Sequence, residues 1–568
     1  MVNALYDIWK QKATADADLI AELEGIANDK EAINDRFYRS LDFGTAGLRG
    51  VIGAGTNRMN VYTVGKATQG LAQYVKAVSD TPRVAIGYDS RIKSDVFARH
   101  AASILAANGV KVMLYPELVP TPMVSFAVRH LKCDAGIVIT ASHNPAIYNG
   151  YKAYGPDGCQ LGTEESRRVM EYIEKIDTFS GVLTTDFDAA VANGSIEYIG
   201  EDTVNAYLDN VQSQMIDKSF DGSKLSIIYT PLNGAGNKPV RKILDRIGVK
   251  NVFVVPEQEQ PDGNFPTTPF PNPEIRQVFE CGLKYAEKIG PDLLMATDPD
   301  SDRIGLAVKH NGEYTLTSGN EVGILLLNYI LRRLSEQGSL PENPVAVKTI
   351  VATPLGDKIA AKYGCNLVSV LTGFKYIGEQ IAILEKQNQP ERFVLGFEDS
   401  YGYLRGSYVR DKDAVVAAML ICEMAGWYKA QNKTLLDGLN EIYEEFGYCL
   451  CEQRSQNFEG QSGMQKMADI TASLRACPPS DIGGLRVEKI RDYKTSTVTD
   501  IASGKVEKLT LPSSDVLAYE LCGGSSFVVR PSGTEPKIKA YIFCQGKTNA
   551  DCLAARDAID GAISKIFA

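Results

Sequence analysis

One arrangement occurs three times in the chain, and it restricts the possible fold more than any other feature. A short apolar run is followed by a polar loop: residues 137–139 precede TASHNP, residues 293–295 precede TDPDSDR, and residues 393–395 precede GFEDSYGY. Short apolar runs bounded by turn-forming residues are typical of buried strands, and helical patterns alternate with them along the chain. The repetition predicts an α/β protein with three related units, each placing a loop at the carboxyl end of a strand, where open α/β sheets bind ligands.

Length and composition limit the classes of function. At 568 residues the chain is too long for one hydrophobic core, so we expect three or four domains. The net charge of -10 argues against a nucleic-acid partner, although it is compatible with one basic pocket for a phosphorylated ligand. The 11 cysteines, scattered without a CxxC pair, favour a reduced, cytoplasmic protein. We expect no membrane attachment, because the sequence shows neither the apolar core of a signal peptide nor an apolar run that could span a bilayer.

The first of the three loops carries a candidate nucleophile. Ser142 lies at the predicted end of its strand, and His143 follows directly; a serine hydroxyl is a weak nucleophile unless a neighbouring base or charge activates it. A glycine-rich segment at 43–60 contains Arg49 and Arg58. Arginine binds phosphate through a planar fork, and glycine lets the backbone approach a ligand closely. Considered separately, both segments are also compatible with ordinary turns.

The second loop concentrates negative charge. Asp298, Asp300 and Asp302 alternate along it, and their carboxylates can converge only around a positive charge, because otherwise they repel one another. A hard divalent cation with oxygen ligands meets this requirement, and Mg2+ is the usual one beside phosphate. An EF-hand calcium loop needs glycine at its sixth position and glutamate at its twelfth, where this chain has Arg303 and Lys309. A solvated acidic turn remains the alternative.

The remaining loops offer groups that suit a phosphorylated sugar. Glu398 and Ser400 provide a charged acceptor and a hydroxyl, which match vicinal sugar hydroxyls. Near residue 530 an arginine fork, two hydroxyls and a glycine are combined, as the binding of a dianionic phosphate monoester requires. Each loop, considered separately, is also compatible with a structural turn. The residues near 530 are Arg530, Ser532, Gly533 and Thr534, and further basic residues near the third loop are Lys375, Arg410 and Lys412.

In this order, the segments TASHNP, TDPDSDR, GFEDS and RPSGTEPK resemble the four signature loops of the α-D-phosphohexomutase family, over essentially the whole chain. The early segments FGTAGLRG and GAGTNRMN are similar to the branch that includes bacterial α-phosphoglucomutases and phosphopentomutase-type enzymes. The resemblance implies a four-domain, heart-shaped α/β architecture with three similar α/β domains and a smaller C-terminal α+β domain. The expected domains are 1–203 with the phosphoserine loop, 204–318 with the metal-binding loop, 319–440 with the sugar-binding loop and 441–568 with the phosphate-binding loop.

The resemblance also implies roles for single residues. Ser142 is expected to be the phosphoserine and to bind one Mg2+ together with Asp298, Asp300 and Asp302. His143 and Lys152 are candidates for acid/base work, and Arg49 is expected close to the phosphoserine. The expected substrate-binding residues are Arg303, Lys375, Glu398 and Ser400, with Arg530, Ser532, Gly533 and Thr534 for the phosphate that is not transferred.

The activity implied by the resemblance is interconversion of glucose 1-phosphate and glucose 6-phosphate through a phosphoserine enzyme, with glucose 1,6-bisphosphate as intermediate and activator. Phosphomannomutase or phosphopentomutase activity is the alternative within the family, because Asp399 and Tyr401 beside the sugar-binding pair do not identify the sugar. A metallo-phosphatase with a serine nucleophile and a catalytically silent sugar-phosphate-binding protein are alternatives from other classes. The expected partners are small sugar phosphates, and the expected state is a monomer or weak dimer. Asn233 departs from the histidine expected in a PLHG-type loop of this branch.

Overall fold

The computed structural model describes residues 2–44, 47–458, 460–531 and 537–567. The predicted phosphate-binding residues Ser532, Gly533 and Thr534 lie outside these ranges. The chain divides into two compact units. Unit 1 comprises Met1–Gly319, Ile377–Gly396 and Ser400–Thr434, and unit 2 comprises Asn320–Tyr376, Phe397–Asp399 and Leu435–Ala568.

The first sheet of unit 1 contains the strand that leads into the loop with Ser142. Its strands are β1 (Gly47–Val51), β2 (Arg83–Tyr88), β3 (Lys111–Leu114), β4 (Ala135–Ile139), β5 (Tyr148–Tyr154) and β6 (Ile196–Tyr198). Their order is β1-β5-β4-β2-β3-β6, in which β4, β2, β3 and β6 are parallel while β5 and β1 form an antiparallel edge. Because β4 lies between two neighbours and is buried throughout, its sequence is a continuous apolar run. The strand predicted at 137–139 is confirmed.

Helices surround this sheet and bury its apolar side chains in an extended hydrophobic cluster. The helix from residue 61 begins where the Asn60 side chain accepts backbone N–H groups and Thr63 completes a capping box. The helices are α1 (Val2–Lys12), α2 (Ala17–Gly25), α3 (Lys30–Phe37), α4 (Val61–Val78), α5 (Ser94–Ala107), α6 (Thr121–His130), α7 (Thr163–Glu174), α8 (Phe187–Ala192) and α9 (Glu201–Gln212).

The second sheet of unit 1 contains the strand that leads into residues 298–303, the aspartate loop. Its strands are β7 (Ser226–Thr230), β8 (Asn251–Val254), β9 (Leu293–Thr297), β10 (Ile304–His310) and β11 (Glu313–Thr317), in the order β11-β10-β9-β7-β8. The β9 strand pairs in parallel with β7 and antiparallel with β10, so the aspartate loop is the tight connection between β9 and β10. The strand predicted at 293–295 is confirmed as part of β9. The helices of this part are α10 (Asn237–Arg246), α11 (Pro256–Glu259) and α12 (Glu280–Ile289).

Residues 319–434 again alternate helices and strands. The β12 (Val345–Thr349) and β13 (Asn366–Val370) strands pair in parallel, and β14 (Phe393–Phe397) is buried throughout. The strand predicted at 393–395 is therefore confirmed as part of β14. The remaining elements are α13 (Gly319–Glu336), α14 (Leu355–Lys362), α15 (Phe374–Lys386), β15 (Tyr403–Leu404) and α16 (Ala414–Lys429).

The C-terminal part of unit 2 is α+β. Its strands are β16 (Tyr448–Asn457), β17 (Asp481–Ile482), β18 (Leu485–Asp492), β19 (Thr497–Asp500), β20 (Val506–Lys508), β21 (Leu517–Leu521), β22 (Ser526–Pro531) and β23 (Lys537–Gly546). They form an antiparallel sheet in the order β16-β23-β22-β21-β18-β19-β20, and β17 pairs with β18 at the side of this sheet. The helices are α17 (Leu435–Phe446), α18 (Gly460–Ala476) and α19 (Asn549–Phe567). The expected fold class, α/β units followed by an α+β region, is confirmed. None of the helices within the described residues combines the length and the apolarity that crossing a membrane requires.

Candidate active site

Ser142 lies in the turn at the carboxyl end of β4. Its φ of 52° is in the left-handed region, which residues other than glycine adopt only when surrounding contacts hold them there. The residue is buried, with 4% exposed, and its backbone N–H donates to Thr140 Oγ1 at 2.8 Å. The hydroxyl donates to Asp298 Oδ2 at 2.8 Å, and His143 Nδ1 lies 3.2 Å from the same oxygen. The candidate nucleophile therefore faces an aspartate that is 156 residues away in the sequence.

The aspartate loop is curled around its own carboxylates. Asp298, Asp300 and Asp302 are buried, and one carboxylate oxygen from each lies within 4.8 Å of the others. Asp298 Oδ1 accepts the backbone N–H groups of Asp302 and Arg303 at 3.1 and 3.0 Å. Among the described residues, Asp300 Oδ1 and Asp302 Oδ1 are buried acceptors that have no hydrogen-bond partner, which is rare in folded proteins. Unpartnered carboxylate oxygens beside a third carboxylate fit a hard divalent cation such as Mg2+.

Two side chains from the first sheet region hold the outer oxygens of this loop. Thr121, the first residue of α6, donates from Oγ1 to Asp300 Oδ2 at 2.8 Å, and its backbone N–H donates to the Asp300 carbonyl at 2.9 Å. Lys152 on β5 donates from Nζ to Asp300 Oδ2 at 2.7 Å and to Asp302 Oδ2 at 3.3 Å. Because these donors bind Oδ2 of Asp300 and Asp302, they do not use the Oδ1 atom of either aspartate.

A second lysine joins the network from the segment after β15. Lys412 Nζ lies 3.1 Å from Asp302 Oδ2 and 3.5 Å from Asp411 Oδ1. Asp411 in turn accepts the Tyr154 hydroxyl at 2.8 Å. All of these side chains belong to unit 1, and most are buried. The negative charge of the aspartate loop is therefore shared with two lysines rather than exposed to water.

The electrostatics of the carboxylates favour a bound cation. Burial raises the pKa of Asp298 well above its ordinary value, and the charges of Asp300 and Asp302 add to the rise. Burial also raises the pKa of Asp300, but the charge and hydrogen bond of Lys152 outweigh it and hold that pKa below its usual range. The Asp298 carboxyl group therefore does not ionise easily beside Asp300 and Asp302, and a cation bound among the three residues would remove this conflict.

The predicted histidine and two of the predicted arginines, one of them predicted to bind substrate, lie around the nucleophile. Burial lowers the pKa of His143 well below its usual value, and the positive charges of Arg303 and Arg49 lower it further, so the imidazole is neutral near pH 7. Arg49 is exposed on β1, opposite Gly150 of β5. Arg303 donates from Nη1 to Glu274 Oε1 at 2.9 Å. The structure thus brings all three predicted residues into electrostatic range of the Ser142 loop.

The third polar loop meets the aspartate loop through its backbone. Arg303 and Gly402 form an isolated antiparallel bridge, and the Ile304 N–H donates to the Tyr401 carbonyl at 3.1 Å. Ser400 precedes this contact and is half-buried. Within unit 1, the predicted sugar-binding serine is therefore two residues from a direct pairing with the aspartate loop.

The other predicted sugar-binding residues lie in unit 2. Glu398 Oε1 accepts the Gly373 N–H at 3.0 Å, so the loops TGFK and GFEDS are adjacent there. Lys375 follows in the first of these loops, with its Nζ 5.0 Å from the centre of the Tyr376 ring. These contacts place a carboxylate and a lysine on neighbouring loops, which is the combination that sugar hydroxyls and phosphate require.

Arg530 is half-buried on β22 of unit 2. Burial raises the pKa of Tyr541 on the neighbouring strand β23, the negative charge of Asp399 adds to the rise, and Arg530 opposes it. Tyr541 therefore lies within electrostatic range of the predicted phosphate-binding arginine and of the predicted sugar-binding loop.

Two residues singled out in the sequence have structural partners. Arg410 is buried, forms an ion pair with Glu385 and donates to backbone carbonyls of its own segment. The Asn233 side-chain amide donates to the Gln260 carbonyl at 2.8 Å, so this departure from the family pattern is used to hold a loop.

Sequence reasoning missed Arg91, Thr121 and the pair Tyr154–Asp411. Arg91 and Thr121 follow β2 and β3, which lie in the same parallel set as β4, and the rule that ligands bind at carboxyl ends of strands could have indicated both. No local pattern indicates the Tyr154–Asp411 hydrogen bond, because its partners are 257 residues apart.

Comparison with known proteins gives one consistent result. Three family models, described as phosphoglucomutase/phosphomannomutase alpha/beta/alpha domains I, II and III, match residues 40–180, 205–312 and 318–446. The chain is 37% identical over 514 residues to a phosphoglucomutase of Staphylococcus saprophyticus, which covers 90% of this chain and 92% of that protein. It is also 37% identical over 508 residues to a phosphoglucomutase of Staphylococcus epidermidis, covering 89% of this chain and 90% of that protein.

Solved structures agree at the level of the fold. The open form of pp63/parafusin, a phosphoglucomutase from Paramecium, has a TM-score of 0.67 at 17% identity, covering 93% of this chain and 95% of that one. A phosphoglucomutase/phosphomannomutase family protein from Burkholderia thailandensis has a TM-score of 0.66 at 18% identity, covering 92% and 97%. At such identities the likeness establishes the fold alone.

Proposed function

Because the chain belongs to the phosphoglucomutase/phosphomannomutase family, we propose that it interconverts glucose 1-phosphate and glucose 6-phosphate through a phosphoserine at Ser142. One observation carries the proposal. The Ser142 hydroxyl donates to Asp298 at 2.8 Å, inside a buried carboxylate cluster that fits a divalent cation. A serine in this position can carry a phosphoryl group next to the positive charge that stabilises its transfer.

We assign cation binding to Asp298, Asp300 and Asp302, with Ser142 as the fourth ligand. Mg2+ bound there supplies a charge that neutralises the phosphoryl oxygens as transfer proceeds. Thr121 and Lys152 orient the aspartates through their hydrogen bonds to Asp300. The positive charge of Lys152, already directed at this loop, also favours the approach of a dianionic phosphate.

In each half-reaction one bond to phosphorus forms and one breaks. The free hydroxyl oxygen of the sugar phosphate bonds to the phosphorus on Ser142, while the bond from phosphorus to Oγ breaks and glucose 1,6-bisphosphate results. The proton leaves the sugar hydroxyl, and Oγ gains a proton. His143 Nδ1, 3.2 Å from Oγ, is placed to exchange this proton, and Lys152 is the second candidate for acid/base work. The bisphosphate then reorients and returns its other phosphoryl group to Ser142, which explains its expected role as activator.

The residues that bind the rest of the substrate are assigned by motif. We assign sugar hydroxyls to Glu398 and Ser400, support from positive charge to Arg49, Arg303 and Lys375, and the phosphate that is not transferred to Arg530, Ser532, Gly533 and Thr534. The domain ranges 1–203, 204–318, 319–440 and 441–568 remain part of the proposal, and the family models support the first three. We also propose that the protein is a monomer or weak dimer. We propose a cytoplasmic location too, which the eleven free cysteines favour.

The decisive experiment uses Ser142→Ala in a mutase assay with glucose 1-phosphate and trace glucose 1,6-bisphosphate. We expect turnover to be lost and label from radioactive bisphosphate to remain absent from the variant, while the wild type incorporates it. Near-normal activity of Ser142→Ala would refute the assignment of the nucleophile. Release of free phosphate by the wild type would favour a phosphatase, and binding without isomerisation would favour a silent binding protein. Comparison of kcat/KM for glucose, mannose, ribose and deoxyribose 1-phosphates identifies the sugar.

A further inference from the structure

Arg91 lies in the turn between β2 and α5 and is buried, with 2% of the residue exposed. Its guanidinium is surrounded by carbonyl oxygens of the loop that follows Ser142. Nη2 donates to the Ser142 carbonyl at 2.6 Å and also to the Asn144 carbonyl. Nη1 donates to the Pro145 and Tyr148 carbonyls, both at 2.9 Å. One side chain therefore binds the backbone of the nucleophile loop at four points.

This arrangement uses the terminal donors of the arginine completely. A guanidinium has four N–H groups on Nη1 and Nη2 and one on Nε, in a rigid fork. The four terminal donors match the four carbonyls, and Nε faces Asp89 Oδ2 at 3.4 Å. In this geometry Arg91 has no terminal donor left for a phosphate, so its role differs from that of a substrate-binding arginine.

Asp89 connects the arginine to the other side of the Ser142 turn. Its Oδ2 accepts the Thr140 hydroxyl at 2.6 Å, and its Oδ1 accepts the backbone N–H of Arg91 at 3.0 Å and the Ser94 hydroxyl at 2.8 Å. Thr140 Oγ1 accepts the Ser142 N–H at 2.8 Å. The N–H and the carbonyl of Ser142 are thus both held, one through Thr140 and Asp89 and the other directly by Arg91.

A segment that follows β8 covers the arginine from outside. The Phe265 ring centre lies 5.1 Å from the Arg91 guanidinium carbon, within the range of a cation–π contact. Gly263 approaches the same turn so closely that a Cβ there would lie 2.4 Å from the Ile92 backbone nitrogen. Since this segment belongs to the same part of the chain as the aspartate loop, Arg91 contacts both the nucleophile loop and the region that carries the aspartates.

We infer that Arg91 is a positioning residue that, with Asp89, holds Ser142 in its left-handed conformation and so keeps Oγ within reach of Asp298. The inference rests on the proposed function, since phosphoryl transfer is what the position of Oγ controls. A φ of 52° at a serine persists only if its surroundings impose it, and the bonds to both peptide groups of Ser142 do so. Lysine has one nitrogen and cannot reach four carbonyls, so Arg91→Lys keeps the charge but releases the loop.

The test compares Arg91→Lys with Arg405→Lys. Arg405 also donates to two backbone carbonyls of unit 1, those of Gln214 and Val394, both at 3.1 Å, but away from Ser142. We expect kcat for glucose 1-phosphate to fall about 100-fold in Arg91→Lys, as a displacement of about 1 Å in a reacting group causes. KM should stay within about threefold of the wild-type value, because the variant retains the substrate-binding groups. The 31P resonance of the phosphoserine should shift in Arg91→Lys and stay in place in Arg405→Lys.

Equal kcat for Arg91→Lys and the wild type, or equal losses in both lysine variants, would overturn the inference. If Arg91→Lys does not fold, Asp89→Asn decides, because it keeps the side-chain shape and removes the charge that faces Nε; we expect kcat to fall on the order of tenfold. Unchanged kcat in a folded Asp89→Asn would also overturn the inference. A wild type without mutase activity overturns the proposed function and this inference with it, whereas an active wild type with an insensitive Arg91→Lys overturns the inference alone.

Discussion

Thr121→Val tests whether the hydrogen bond from α6 prepares the aspartate loop for its cation. Thr121 is completely buried, and its Oγ1 donates to Asp300 Oδ2 at 2.8 Å. Valine has nearly the shape of threonine, so the variant removes the donor and leaves Lys152 as the remaining side-chain donor to that oxygen within the described residues. A hydrogen bond to a charged group contributes about 1.5–3 kcal/mol, and 1.4 kcal/mol corresponds to about tenfold in an equilibrium constant. We therefore expect the affinity for Mg2+ to fall about 10–100-fold.

The assay is the dependence of mutase activity on Mg2+ concentration, together with direct titration of Mn2+ followed by electron paramagnetic resonance. Both midpoints should move to higher concentration in Thr121→Val, whereas kcat at saturating cation should change much less. Thr121→Ser is the matched control, because it keeps the hydroxyl and removes one methyl group. If the midpoints of Thr121→Val and Thr121→Ser both coincide with the wild-type midpoint, the Thr121–Asp300 hydrogen bond does not support cation binding and the reasoning is wrong.

The other predictions concern the bound cation and the phosphate group of the substrate that is not transferred. Removal of divalent cations with EDTA should abolish turnover and lower the melting temperature, since a cation at 100 times its Kd stabilises the folded state by about 2.7 kcal/mol. Calorimetry with and without Mg2+ measures the change in melting temperature. An unchanged melting temperature would contradict cation binding by Asp298, Asp300 and Asp302. Arg530→Ala should raise KM for glucose 1-phosphate about 10–100-fold with a smaller effect on kcat, because it removes a charge-assisted hydrogen bond. Michaelis–Menten kinetics with an unchanged KM would remove Arg530 from the phosphate site.

Several features of the fold follow from local pattern. The strands predicted at 137–139, 293–295 and 393–395 lie in β4, β9 and β14, which are buried along their whole length. A strand with neighbours on both edges and layers on both faces needs apolar residues at every position, and such a run is visible in the sequence. The loops that follow these strands are recognisable in the sequence by their polar, turn-forming residues. From the family motifs in these loops we predict a phosphoserine at Ser142 and a cation site at the aspartates.

The sequence by itself determined which short segments are strands, which loops follow them and which residue types those loops offer. The tertiary structure alone decided which loops meet: Ser142 with Asp298 across 156 residues, Thr121 with Asp300 across 179, and Arg91 with the carbonyls of the nucleophile loop. The physical reason is the distance along the chain over which each kind of interaction acts. Apolar pattern and turn chemistry act over a few residues, whereas the distance between two loops depends on strand order and on how two sheets pack, to which side chains throughout unit 1 contribute.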